Sequence, residues 1–129
     1  MDELVFLPAA EMAAEVRRKN ISPRELIQSH LDRIERLNPQ VNAMVYVDAE
    51  GATKAAQAAE TAVMQNAELG PLHGVPVSIK SCIDVQGWPC EAGTRLRAGN
   101  VPAGDAPLVA RLRNAGAIVL GNSNTPEML

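Results

Sequence analysis

The residue in this sequence best suited to chemistry is Lys80. It stands in the stretch Val-Pro-Val-Ser-Ile-Lys-Ser-Cys-Ile-Asp-Val (75–85), which carries no other charge before Asp84. A lysine flanked by Ile79, Ser81, Cys82 and Ile83 is expected to be partly desolvated, and desolvation disfavours the ammonium form. A free lysine titrates near ~10.4, whereas a useful general base titrates near ~7–8. The gap corresponds to about 4 kcal/mol, which burial can supply. A neutral amine so placed could take the proton from a hydroxyl nucleophile. Ser78 projects from the same strand face two residues away, but little favours it as that nucleophile. On the pattern alone, a lysine on a solvated strand face is the plainer reading.

The other reactive residue types offer less. A Lys-x-Cys pair at 80 and 82 suggests thiol chemistry, but that chemistry wants a cysteine at a helix tip or elbow. Cys82 is expected inside a strand, where a buried structural thiol is the better reading. Cys90, beside Trp88-Pro89, reads as a loop or packing residue. His30 lies near an apolar helix stripe and reads as a packed or surface histidine. His73 falls in a turn without a partner cluster. No zinc-like Cys/His spacing exists, so no metal is expected.

Composition narrows the function classes. Of 129 residues, 47% are hydrophobic and only Phe6, Tyr46 and Trp88 are aromatic. The core must therefore be aliphatic, and base-stacking surfaces lack their aromatic faces. A net charge of −3 with no long basic run gives nucleic-acid binding no support. The opening Met-Asp-Glu-Leu-Val-Phe-Leu-Pro resembles neither a signal peptide nor a membrane span. Two cysteines without such a signal are expected to be reduced, with the cytoplasm as the default location.

Helices, then a strand–helix–strand unit, must hold Lys80. A first helix is expected over about Pro8 to Lys19, with Ala9, Met12, Ala13 and Val16 on one face. Ser22-Pro23-Arg24-Glu25 is a capping box with proline at the first helical position. It opens a helix whose stripe runs through Ile27, Leu31, Ile34 and Leu37 and which Asn38-Pro39 should end. Val41 to Val47 alternates and reads as a strand or an extended linker. Asp48 should cap a long helix over about Ala49 to Asn66, with Ala52, Ala55, Ala59, Ala62 and Val63 as its small-residue face. Period-two alternation from Val75 to Val85 predicts a strand that Gly87 ends. After a glycine-rich loop, Asp105 should cap a helix over about Ala106 to Ala115, with Leu108, Val109 and Leu112 inward. Ala117 to Leu120 is a short apolar strand. Strand, helix and strand in this order predict a parallel βαβ unit. Thr125-Pro126-Glu127 reads as a fresh helix start with no body after it, and two strands with one crossover would leave a parallel sheet uncovered. Both features suggest that the polypeptide continues.

Three stretches carry a family resemblance. Gly-Pro-Leu-His-Gly-Val-Pro-Val-Ser-Ile-Lys (70–80) resembles the amidase-signature segment in which Gly-Pro-Leu-x-Gly-Val-Pro leads into Ile-Lys. Residues 105–127, with Asp-Ala, Arg-Leu-Arg, Ala-Gly-Ala-Ile and Asn-x-Pro-Glu, are similar to the stretch that follows it. Residues 21–45 look like the family's N-terminal helix pair. Two departures stand out: Ser81 replaces the acid that usually follows the lysine, and Asn122-Ser123-Asn124 stands where Lys-Thr-Asn is expected. The segments around Lys80 and Pro126-Glu127-Met128-Leu129 also resemble fatty-acid amide hydrolases.

The resemblance implies an α/β/α layered domain around a mixed sheet, of which residues 1–129 form the N-terminal part, cut short at its C-terminal end. It implies a Ser–cis-Ser–Lys triad whose lysine is Lys80, cleaving a small-molecule amide to a carboxylate and ammonia or an amine. No cofactor is needed by this chemistry. The family's serines belong to a Gly-Gly-Ser-Ser-Gly-Gly-like loop, and no such loop occurs among these 129 residues. Ser22, Ser29, Ser78, Ser81 and Ser123 stand in other contexts, so the chain alone is expected to be inactive. The alternative is a non-catalytic fragment or an amidotransferase-like subunit that serves as an interaction module. The residues leave the substrate and the oligomeric state open.

Overall fold

The computed structural model describes residues 3–129. A short 3-10 turn (Leu4–Phe6) precedes helices α1 (Ala9–Arg17) and α2 (Pro23–Val41). Strand β1 (Met44–Val47), helix α3 (Ala49–Met64), strand β2 (Pro76–Lys80), helix α4 (Pro107–Asn114) and strand β3 (Ile118–Ser123) follow. The helix starts obey local chemistry. The Ser22 hydroxyl accepts from the backbone N–H groups of Arg24 and Glu25, and Asp48 accepts from Gly51. In α3 the apolar face is Ala52, Ala56, Ala59 and Val63, so Ala55 is exposed although its spacing predicts it inward.

Several element ends differ from expectation, among them the end of β3, which runs on past Leu120 to Ser123. Helix α2 continues through Pro39 to Val41 and stops at Asn42, which adopts φ 47°. Near a helix end the proline forfeits one backbone bond only. The Asn38 side chain steadies that end by donating to the Met44 carbonyl and accepting from its N–H, both at 2.8 Å. Helix α4 begins at Pro107 without a side-chain cap. Asp105 instead accepts from the Gln86 N–H and pairs with Arg113 at 3.0 Å. Leu108 is exposed, and Val109 carries the buried contact. At the chain's end Leu129 N–H bonds to the Pro126 carbonyl in a turn, where the sequence predicts a helix start.

The sheet is three-stranded and mixed, in the order β1-β3-β2. Strand β2 runs parallel to β3, as the strand–helix–strand reading requires, and β1 joins antiparallel on the other side. Both faces of β3 are covered. Ile118 and Leu120 pack on Ile27 and Leu31 of α2 and the alanines of α3. Val119 packs with Ile79, Val85, Trp88 and Val109 on the opposite face. The expected bare sheet face is therefore absent at β3, because the N-terminal helices fold back as its second layer. A further cluster, from Met12 and Val16 to Leu26, Val63 and Val75, ties α1 to this body.

Strand β2 is shorter than the alternation suggests. It ends at Lys80, and Ile83 N–H bonds back to the Lys80 carbonyl. Alternation persists to Val85 because Ile83 and Val85, although beyond the strand, still pack into the cluster around Ile79.

Candidate active site

Lys80 is the last residue of β2, at the C-terminal end of a parallel strand pair. In parallel sheets of α/β proteins, ligands gather at this end. Its neighbour Ile79 is 3% exposed and enters the core, so Lys80 and Ser78 point to the other face. That face is the one on which Ile118 meets α2 and α3, since Pro76 pairs with Ile118 in the register. The helical layer covers β3 but leaves Ser78 and Lys80, on the edge strand, exposed. The expected partial desolvation of Lys80 is thus not met in this chain: its apolar sequence neighbours lie on the opposite face. Among the described residues the Lys80 side chain makes no hydrogen bond and no ion pair.

The ground beneath Lys80 is tightly tied. Ser81 N–H donates to the Ser123 carbonyl at 2.9 Å, and the Ser81 carbonyl accepts from Ala92 N–H at 3.1 Å. Ala92 in turn accepts from Met128 N–H. Gly93 adopts φ 66°, and a Cβ there would stand 2.9 Å from the Thr125 carbonyl oxygen. Buried Thr94 donates from its hydroxyl to Glu127 at 2.9 Å. Residues 91–94 and 122–128 therefore interlock around the residue that follows the lysine. Asn124 fixes the same corner, with its N–H on the Ala43 carbonyl and its amide on the Asn42 carbonyl.

The register places one more hydroxyl beside the lysine. Lys80 pairs with Ser123 and Ser78 with Gly121 across the parallel ladder. Ser123 has no glycine-rich context, and only strand pairing brings it to this place. Asn122, 1% exposed, lies on the core side, where its amide donates to the Pro89 carbonyl at 2.7 Å.

Cys82 is half-buried in the turn after β2, not inside a strand as expected. Cys90 is buried, and its thiol is pushed up to about 11, first by burial and then by the nearby Asp84 carboxylate. The two histidines are structural. His30 Nδ1 donates to the Leu26 carbonyl and His73 Nε2 to the Ala59 carbonyl. A small cavity of about 130 Å³ lies beside Ser81, Glu91 and Asn124. A cleft of about 650 Å³ between α2 and the start of α3 contains none of these residues. Among the described residues no group of His, Cys, Asp and Glu is placed to hold a metal ion, and no helix is long and apolar enough to cross a membrane.

An α/β chain that ends a parallel strand on a lysine, next to a Gly-Thr loop locked onto an Asn-x-Pro-Glu segment, belongs to the amidase family, whose model matches residues 25–129. Relatives make the membership concrete. The acylamidase of Rhodococcus erythropolis is 44% identical over 126 residues, covering 96% of this chain and 26% of that protein. A glutamyl-tRNA(Gln) amidotransferase subunit of Acidothermus cellulolyticus is 38% identical over 127 residues, covering 98% of this chain and 25% of that protein. The peptide amidase of Stenotrophomonas maltophilia superposes with a TM-score of 0.89 at 31% identity, over 98% of this chain and 26% of that structure. The chain therefore spans about a quarter of the length of the relatives it matches.

Proposed function

We propose that residues 1–129 are the lysine-bearing N-terminal part of a single amidase domain that hydrolyses a small-molecule carboxylic amide. Lys80 is the general base. In its neutral form it works with a serine pair carried elsewhere in the domain. One serine attacks the amide carbonyl, its proton passes through the second serine to the lysine amine, and the lysine ammonium returns it by the same route to the nitrogen, which departs as ammonia or an amine. Water then releases the carboxylate from the acyl-enzyme. The observation that carries this reading is the position of Lys80, unpaired among the described residues at the C-terminal end of β2 within a family match. Its exposure in this chain fits the reading, because a base that serves residues outside the chain must face outward. The rest of the domain would then supply the low-dielectric cover that an amine needs to lose its proton near neutral pH. The two free thiols favour the cytoplasm.

The test uses the complete polypeptide and a panel of carboxamides and anilides. Lys80→Ala and Lys80→Met are expected to lose roughly a thousandfold or more in kcat/KM, with the melting transition kept. Parent-like turnover by Lys80→Met would refute the assignment. Reading the coding frame past Leu129 gives a second check, because a glycine-flanked Ser-Ser pair is required. Hydrolysis by residues 1–129 alone, abolished by Lys80→Ala, would show that the chemistry needs no further segment.

The likeness to an amidotransferase subunit favours a second reading, in which the polypeptide works as part of a larger assembly. Turnover of simple amides by the purified polypeptide alone separates the two.

A further inference from the structure

The amine of Lys80 has no partner among the described residues, and neither do the hydroxyls of its two nearest polar neighbours on the sheet face, Ser78 and Ser123. The charged groups of the surrounding loops are engaged elsewhere. Glu127 accepts from Thr94, Glu91 accepts from Gly99 N–H, and Asp84 lies toward the buried Cys90 thiol, whose titration it raises. The two hydroxyls are not equivalent. Ser78 is two residues back along β2, about 6.6 Å away, and exposed. Ser123 is the register partner of Lys80 on the neighbouring strand, about 4.8 Å away between backbones, and its side chain shares the lysine's face. It is half-buried and held from both sides. Its carbonyl accepts from Ser81 N–H, and the following residue, Asn124, is clamped to Ala43 and Asn42. Gly121, opposite Ser78, presents no side chain.

We propose that Ser123 is a positioning residue for Lys80: its hydroxyl accepts one N–H of the amine and fixes the direction in which the lone pair points. A primary amine on four rotatable bonds has no intrinsic direction. A proton acceptor must meet its donor within hydrogen-bond reach and in line. An acceptor carried on a rigid neighbouring strand removes that freedom before substrate arrives. The inference rests on Lys80 being the general base.

The experiment compares Ser123→Ala, Ser123→Val and Ser123→Thr with the parent in the complete polypeptide. The substrate is the panel member turned over fastest, with Lys80→Ala as the reference. Ser123→Thr keeps the hydroxyl and is expected to match the parent. Ser123→Ala and Ser123→Val are expected to lower kcat by roughly tenfold to a hundredfold with KM nearly unchanged. Removing the acceptor also withdraws a hydrogen bond from the ammonium form, so the acid limb of the kcat–pH profile should move to lower pH by about half a unit or more. A role confined to packing would leave that limb in place. If Ser123→Ala does not fold, the near-isosteric threonine–valine pair decides. Identical kcat and pH profiles for Ser123→Val and Ser123→Thr, beside an inactive Lys80→Ala, would overturn this inference and leave the function standing. An active Lys80→Ala, or a parent that turns over no panel member, would overturn both.

Discussion

Burial separates the two thiols of this chain. Cys90 is 1% exposed and titrates at about 11, because its thiolate would sit in apolar surroundings beside the Asp84 carboxylate. At pH 8 only about one Cys90 in a thousand carries the thiolate. Iodoacetamide at that pH should therefore modify Cys82 well before Cys90, as peptide mass spectrometry would show; equal rates would contradict the buried placement. The same shift has a consequence for stability. Cys90 titrates higher in the folded chain than an unfolded thiol, near ~8.5, so the stability it contributes is fully present below that value. It is lost as the pH rises from about 9 through about 11. Lys80 shows the opposite placement: its neighbours in sequence are apolar, yet it faces solvent, since residues adjacent in a strand point to opposite sides. At this scale the proposed base is a matter of strand parity.

The elements align these residues through close approach. Strand β3 passes so near β1 that a Cβ on Gly121 would stand 2.1 Å from the Tyr46 carbonyl oxygen and 2.9 Å from Val47 Cα. Both atoms are backbone and cannot swing away. Gly121→Ala should therefore cost about 2 kcal/mol or more, measured as a fall in the urea midpoint at unchanged m-value. A cost under about 0.5 kcal/mol would mean that β1 does not pair as described. The register irregularity between Val77 and Ser78 lies opposite the same stretch, where Ser78 pairs with Gly121 and Leu120 is passed over. Through this irregularity Ile118 and Leu120 face the helices while Ser123 arrives beside Lys80. A bulge re-aims the strand beyond it, and here it aims the hydroxyl of the proposed site.

At the scale of the described residues as a whole, two sheet edges are open, along β1 and β2. Pro76 blunts one of them, having no N–H to offer a further strand. Val41, Val45 and Leu96 are exposed, Leu96 at 90% on the turn between Arg95 and Arg97. Unpaired strand edges and exposed aliphatic side chains favour association. Residues 1–129 produced alone should sediment as a concentration-dependent mixture of species. A single monomeric species up to about 100 µM would show that the edges are adequately protected as they stand. The proposed amidase reading offers these edges further strands, and the proposed base its cover, from the same source.

The elements that carry the site are legible because their signals are local. A serine cap with proline and glutamate behind it announces α2, alanines at helical spacing announce α3, and period-two alternation with a lone lysine announces β2 and Lys80. The misplacements fall where local signals conflict or run out. Pro39 reads as a stop but sits where only one bond is lost, and alternation up to Val85 reads as strand although the backbone turns after Lys80. Sequence by itself thus determined where the helices and strand β2 begin, most of the residues that face inward, and which family the chain resembles. Tertiary structure alone decided that β1 joins antiparallel, that Lys80 is open to solvent, and that Ser123 is its neighbour. Strand pairing and register depend on contacts between residues far apart in the chain, settled by how both faces of the sheet pack, and no local window contains that information.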